Sequence, residues 1–102
     1  MSADQAPVQV SAEQRASLIT YPSIIAVKAM GLADTEPPGF RALVESLVLP
    51  LIAPERPSRI DERVSSGGKY LSVSVTFTVT SRGQLEAIYT ALHAEPRVLF
   101  TL

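Results

Sequence analysis

The sequence predicts an α+β domain in which one four-stranded antiparallel sheet carries two helices on a single face. Three observations support this. From Tyr70 to Thr80 apolar and polar residues alternate without a break: Leu71, Val73, Val75, Phe77 and Val79 fall at odd positions, and Tyr70, Ser72, Ser74, Thr76, Thr78 and Thr80 at even ones. Such alternation makes a strand with one buried and one wet face. Two other stretches place apolar residues at helical spacing, first Phe40, Leu43, Val44, Leu47, Val48 and Leu51, then Leu85, Ile88, Tyr89 and Leu92. Shorter strand-like runs separate them, in the order strand, helix, strand, strand, helix, strand.

Met1 to about Val10 mix Ser, Asp, Gln, Ala and Pro with no apolar period. Ser11 is placed to cap a short helix through Ile19, with Gln14 at the reciprocal capping position. Tyr21-Pro22 closes that segment, because the residue before a proline is pushed towards extended backbone. Residues 1–17 are therefore expected to be a tail, disordered in part or a short helix, and residues 18–102 a single domain. The first strand, Ile24 to Met30, sets Ile25, Val27 and Ala29 on one side and Ile24, Ala26, Lys28 and Met30 on the other. Gly31 is expected to end it, by positive φ or by close approach to another group.

Pro37-Pro38 suits the first turn of the first helix, where the missing N–H groups have no intrahelical acceptor. Pro50 removes a bond to the Ser46 carbonyl, so a kink or an early end is expected there. Pro54 and Pro57 keep the next segment out of helix. Arg59 to Val64 reads as a short strand anchored by Ile60, and Ser65-Ser66-Gly67-Gly68 as the turn that follows. After the long strand, Ser81 begins the second helix with Gln84 in capping-box position, and Glu95-Pro96 stops it. Val98 to Leu102 forms the last strand.

Two amphipathic helices over one face of such a sheet give a ferredoxin-like βαββαβ sandwich with right-handed crossovers. The expected strand order is 4-1-3-2, with the last strand and Arg59 to Val64 at the edges. With Arg97 counted at its start, the last strand carries that one charge, and its outer side is expected to have no neighbour. Leu18, Ile19 and Tyr21 are expected to bring the segment Ser11 to Tyr21 over that edge. Pairing with a second copy is the alternative, so the chain is expected to be a monomer or a weak homodimer.

The chain has 102 residues, 46% hydrophobic and 19% charged, which suits one folded domain and not a disordered chain. Nine Lys and Arg against ten Asp and Glu leave a formal charge of -1, so no overall field draws phosphate backbones. Absence of cysteine excludes disulfides, thiol nucleophiles and cysteine-held metals, and His93 alone builds no histidine site. No cofactor or metal is expected. The N-terminal residues lack a basic start and an apolar core, and the apolar run Leu47 to Ala53 is too short to span a bilayer. A soluble, cytoplasmic protein without a membrane partner is expected.

Several segments, taken in order, resemble a known family. They are Leu18-Ile19-Thr20-Tyr21-Pro22, Val27-Lys28-Ala29-Met30-Gly31, the run from Ser65 through Gly67-Gly68-Lys69-Tyr70 to Val75, and Leu85-Glu86-Ala87-Ile88-Tyr89. Together they resemble the bacterial YbeD family of uncharacterised small proteins over Leu18 to Leu102. The resemblance implies a ferredoxin-like fold similar to the ACT-type regulatory domains that bind amino acids, a ligand-sensing or protein-regulating role, and a link to lipoate metabolism. It supplies no catalytic residues. The chain departs from the family pattern in its N-terminal tail, in Pro50 and in the second glycine of the Ser65 to Gly68 turn.

Neither a Ser/His/Asp set nor paired carboxylates stand out, so enzymatic activity is not expected. His93, near a helix end, is placed to interact with terminal carbonyls. Lys28, Ser72 and Ser74, with Thr76 and Thr78, form a polar platform if the first and third strands are neighbours. Arg63 and Lys69 flank the glycine turn and are placed to hold an anion. Gly31 offers close approach after the first strand, the place where ACT-type domains bind. Tyr70 is the one aromatic on the wet face of the long strand, too few for an RNA platform of stacked bases. The leading expectation is a small regulatory or protein-interaction module that works by binding, with a protein partner or a small-molecule effector. A stand-alone ACT-like sensor of an amino acid or other small metabolite is the alternative, and an RNA-binding module is a weaker third.

Overall fold

The computed structural model describes residues 18–33 and 36–102. Its elements follow the expected order: β1 (Ser23–Leu32), α1 (Phe40–Ile52), β2 (Arg59–Val64), β3 (Tyr70–Val79), α2 (Arg82–His93) and β4 (Phe100–Thr101). The strands form one antiparallel sheet in the order β2-β3-β1-β4, as expected. The tail, the helix from Ser11 and most of the segment proposed to cover the last strand lie outside the described residues. Of that segment, Ile19 and Tyr21 pack against the core, while Leu18 stays 76% exposed.

One face of the sheet is filled by the helices. Val27 stands opposite Val75 and Ala29 opposite Val73, and directly opposed residues share a face. These four, with Phe77 and Val79, join Phe40, Leu43, Val44, Val48 and Ile52 of α1 and Leu85, Ile88, Tyr89 and Leu92 of α2 in a single buried cluster. The alternation in β3 therefore sets the burial as expected: odd positions go inward, and even ones stay at least partly accessible.

Local chemistry explains the helix boundaries. Ser81 Oγ accepts from Gln84 N at 3.1 Å, the expected N-cap. Gln84 Oε1 reaches back to accept from Thr80 N at 2.9 Å, one residue ahead of the cap. Gln84 Nε2 donates to the Leu51 carbonyl at 3.2 Å, so one side chain joins the start of α2 to the end of α1.

Four expectations change. Gly31 does not end β1 but lies within it, without positive φ, because the strand continues to Leu32 beside Tyr70. Pro37-Pro38 stands before α1 and not in its first turn: Gly39, with ψ 157°, is still extended, so the helix starts after it, and Pro37, preceding a proline, resists α geometry. Pro50 does not end α1, which continues to Ile52; the ring sits in the last turn, where one lost bond does not unravel a helix whose Val48 and Ile52 are buried. The last strand is shorter than expected, although Leu99 N donates to Met30 O at 2.8 Å and Leu102 N to Lys28 O at 2.9 Å around its two residues.

Candidate functional site

Among the described residues, no helix covers the other face of the sheet. Register arranges its side chains in rows across the strands: Arg63, Ser72, Met30 and Phe100 in one, and Asp61, Ser74 and Lys28 in the next. Leu102 stands beside Lys28, the two exchanging main-chain bonds at 3.0 and 2.9 Å. The central strand β3 contributes short serines while its neighbours contribute long side chains. The result is a hollow of about 370 Å³ over Ser72, bounded by Arg63 with Ser65, Ser66 and Tyr70 on one flank and Lys28, Met30 and Leu102 on the other.

The hairpin that frames this hollow is held by its own bonds. Ser65 N donates to Tyr70 O and Gly68 N to Ser65 O, both at 2.8 Å, while Ser65 Oγ accepts from Tyr70 N at 3.0 Å. Gly68 turns the chain at φ +77°, a conformation that favours glycine.

Four of the residues singled out in the sequence, Lys28, Arg63, Tyr70 and Ser72, thus meet around one hollow. Ser74 lies on the same face in the adjoining row. Lys69 does not join Arg63 as an anion clamp; its Nζ lies 5.3 Å from the centre of the Tyr70 ring. Gly31 belongs to the opposite, buried face: a Cβ there would meet the Phe40 ring and come within 2.6 Å of the Arg97 carbonyl. The close approach expected at Gly31 is made by the protein's own core, which leaves no opening for a ligand at that position.

Two cations border the hollow, Lys28 and Arg63. Asp61 is engaged by Arg59 at 2.7 Å, and Glu62 points to the helix side, where it meets Arg41 at 3.0 Å. Glu62 and then Glu45 raise the Arg41 guanidinium further above its ordinary value. Lys28 and Arg63 form no ion pair among the described residues. On the same face Leu32, Phe100 and Leu102 are 43%, 40% and 46% exposed.

Phe100 is a functional candidate that sequence reasoning missed. Its face depends on pairing with Met30, and a short terminal run without alternation does not announce its register. His93 also differs from expectation: Nε2 lies 2.9 Å from Thr101 Oγ1, tying the end of α2 to β4. No cluster of three His, Cys, Asp or Glu suited to a metal occurs among the described residues. No described helix is long and apolar enough to cross a membrane.

Residues 16–102 match a family described as a protein of unknown function, DUF493. The chain belongs to the DUF493 family. Its relatives include UPF0250 proteins of Janthinobacterium sp. strain Marseille, 41% identical over 84% of this chain and 91% of the relative, and of Ralstonia nicotianae, 40% identical over 86% and 88%. That of Leptothrix cholodnii is 37% identical over 84% of this chain and 91% of its own length. The expected kinship with small uncharacterised bacterial proteins of the YbeD kind is thereby shown. The DUF493 chain also resembles the solution structure of protein HP0495 from H. pylori, with a TM-score of 0.61 over 100% of this chain and 96% of that one at 14% identity, a likeness of fold.

Proposed function

We propose that this DUF493 protein is a non-enzymatic regulatory module that acts by binding a partner protein on the open face of its sheet. One observation carries the reading: Lys28 and Arg63, without ion-pair partners among the described residues, share with the exposed apolar groups Leu32, Phe100 and Leu102 the face opposite the described helices. Apolar anchors flanked by unneutralised cations suit a partner surface that offers apolar and acidic groups together.

The test compares immobilised wild-type chain with K28E/F100S and with the surface control Arg82→Glu, each exposed to cytoplasm of the source cell. A polypeptide held by wild type and the control but lost from the open-face variant supports the reading. Retention of the same set by all three overturns it.

The ACT-like sensor remains the second reading, favoured by the volume of the hollow, which lies within the range of small-molecule sites. Calorimetric titration with the twenty amino acids separates the two, since a sensor gives saturable heat with one of them and no partner protein present. RNA binding has less support. Phe100 joins Tyr70 on the open face, but the two do not lie in one row.

A further inference from the structure

We propose that the hollow over Ser72 is a binding site for a phosphate group, held between Lys28 and Arg63. This rests on the open face being the binding surface and names the chemistry of its centre.

The two cations approach from opposite flanks. Arg63 is on β2 and Lys28 on β1, with β3 between them, so the two strands stand about 10 Å apart at the usual spacing and Lys28 lies one row along from Arg63. Ser72 is directly opposite Arg63 on one side, and Ser74 is directly opposite Lys28 on the other. Both long side chains therefore border the hollow, with Ser72 at its floor and Met30 across from Ser72.

Hydroxyls complete the donor set. Ser65 Oγ accepts from Tyr70 N and keeps its own O–H for another acceptor. Ser72 Oγ donates to the Arg63 carbonyl across a long 3.4 Å. Ser66 lines the same space. Residues bearing an ammonium, a guanidinium and three serine hydroxyls thus line one hollow.

That arrangement suits the tetrahedral oxygens and near-double charge of a phosphate monoester better than a planar carboxylate. A carboxylate is served by one guanidinium in a flat, two-bonded fork. The nearest acidic side chain across the rows, Asp61, is already engaged by Arg59 and does not neutralise the pair.

The chemistry is common to a small phosphate ester and to a phosphorylated side chain of a partner, and the experiment separates them. Amide NMR spectra of the full chain are recorded with inorganic phosphate, O-phosphoserine, a phosphoserine hexapeptide with leucine neighbours, and acetate. Saturable shifts at Lys28, Ser66 and Ser72 are expected with the three phosphates, with acetate at least tenfold weaker. Lys28→Gln and Arg63→Gln each weaken binding at least threefold, and Lys69→Gln leaves it unchanged. Ser72→Val, which fills the floor without altering charge, abolishes it; its amide dispersion shows that the fold is kept.

A peptide more than tenfold tighter than phosphoserine assigns the phosphate to a partner, and equal affinities assign it to a small ester. Acetate as strong as phosphate, shifts spread equally over Arg56 and Arg82, or unchanged binding in both glutamine variants overturns the proposal. Capture of a partner that Ser72→Val does not disturb would leave the protein-binding face standing and remove only its phosphate.

Discussion

Gly31 and the ring of Phe40 occupy adjoining space so closely that residue 31 has no room for a methyl group. A Cβ there would overlap the ring and come within 2.6 Å of the Arg97 carbonyl. Gly31→Ala is expected to destabilise the fold by about 1–3 kcal/mol, the usual cost of overpacking a filled core. Adding Phe40→Leu to Gly31→Ala should recover part of the loss relative to the sum of the single changes. Urea midpoints of the two single variants and the double check this, and strict additivity would show that the ring is not what Gly31 accommodates.

Phe77 and Thr76 are adjacent in β3 but belong to different faces. Phe77 is 1% exposed within the core, whereas the Thr76 side chain lies on the open face. Phe77→Ala is expected to cost about 3–5 kcal/mol and Thr76→Ala under about 1 kcal/mol. Equal denaturation midpoints would mean that the sheet faces are reversed.

Most of this architecture was legible because β3 alternates for its whole length. Once Ser72 and Ser74 are outward and Lys28 shares their face, the candidate surface follows from parity alone. What was not legible depended on contacts distant in sequence. The ring under which Gly31 lies belongs to a helix, and a strand-ending glycine and a packing glycine look alike in one dimension. Phe100 acquired its face from a two-residue pairing with β1 that no local pattern encodes. The placement of Lys69 Nζ near the Tyr70 ring is likewise a contact that the one-dimensional neighbourhood of Arg63 does not announce.

Gln84 serves two helices at once, so its replacements should separate the two functions. Gln84→Ala loses the bonds to Thr80 and to the Leu51 carbonyl and is expected to cost about 1–2 kcal/mol. Gln84→Glu keeps an acceptor for Thr80 N near a helix N-terminus and loses the donor to Leu51, so its stability should fall between wild type and alanine. Thermal unfolding of the three chains at neutral pH measures the order, and glutamate as damaging as alanine would show that the Leu51 bond dominates.

Pro50 is exposed within the last turn of α1. Pro50→Ala restores an N–H that the Ser46 carbonyl can accept, against which the unfolded chain gains freedom. A net stabilisation of about 1 kcal/mol is expected. A lower urea midpoint for the variant would show that the rigid unfolded-state effect of proline outweighs the missing bond.

The two borders of the sheet are unlike each other. β2 presents Arg59, Asp61, Glu62 and Arg63 along six residues, a density of charge that discourages another strand from lying against it. β4 presents two residues between Leu99 and Leu102, both exposed and apolar. A head-to-tail contact, β2 of one copy against β4 of the next, would propagate into a filament, and the charged border opposes it. Contact of β4 with β4 uses the same surface twice and leaves no further border of that kind to extend. Any strand-to-strand pairing through the described borders would therefore close at two copies instead of growing into a fibre.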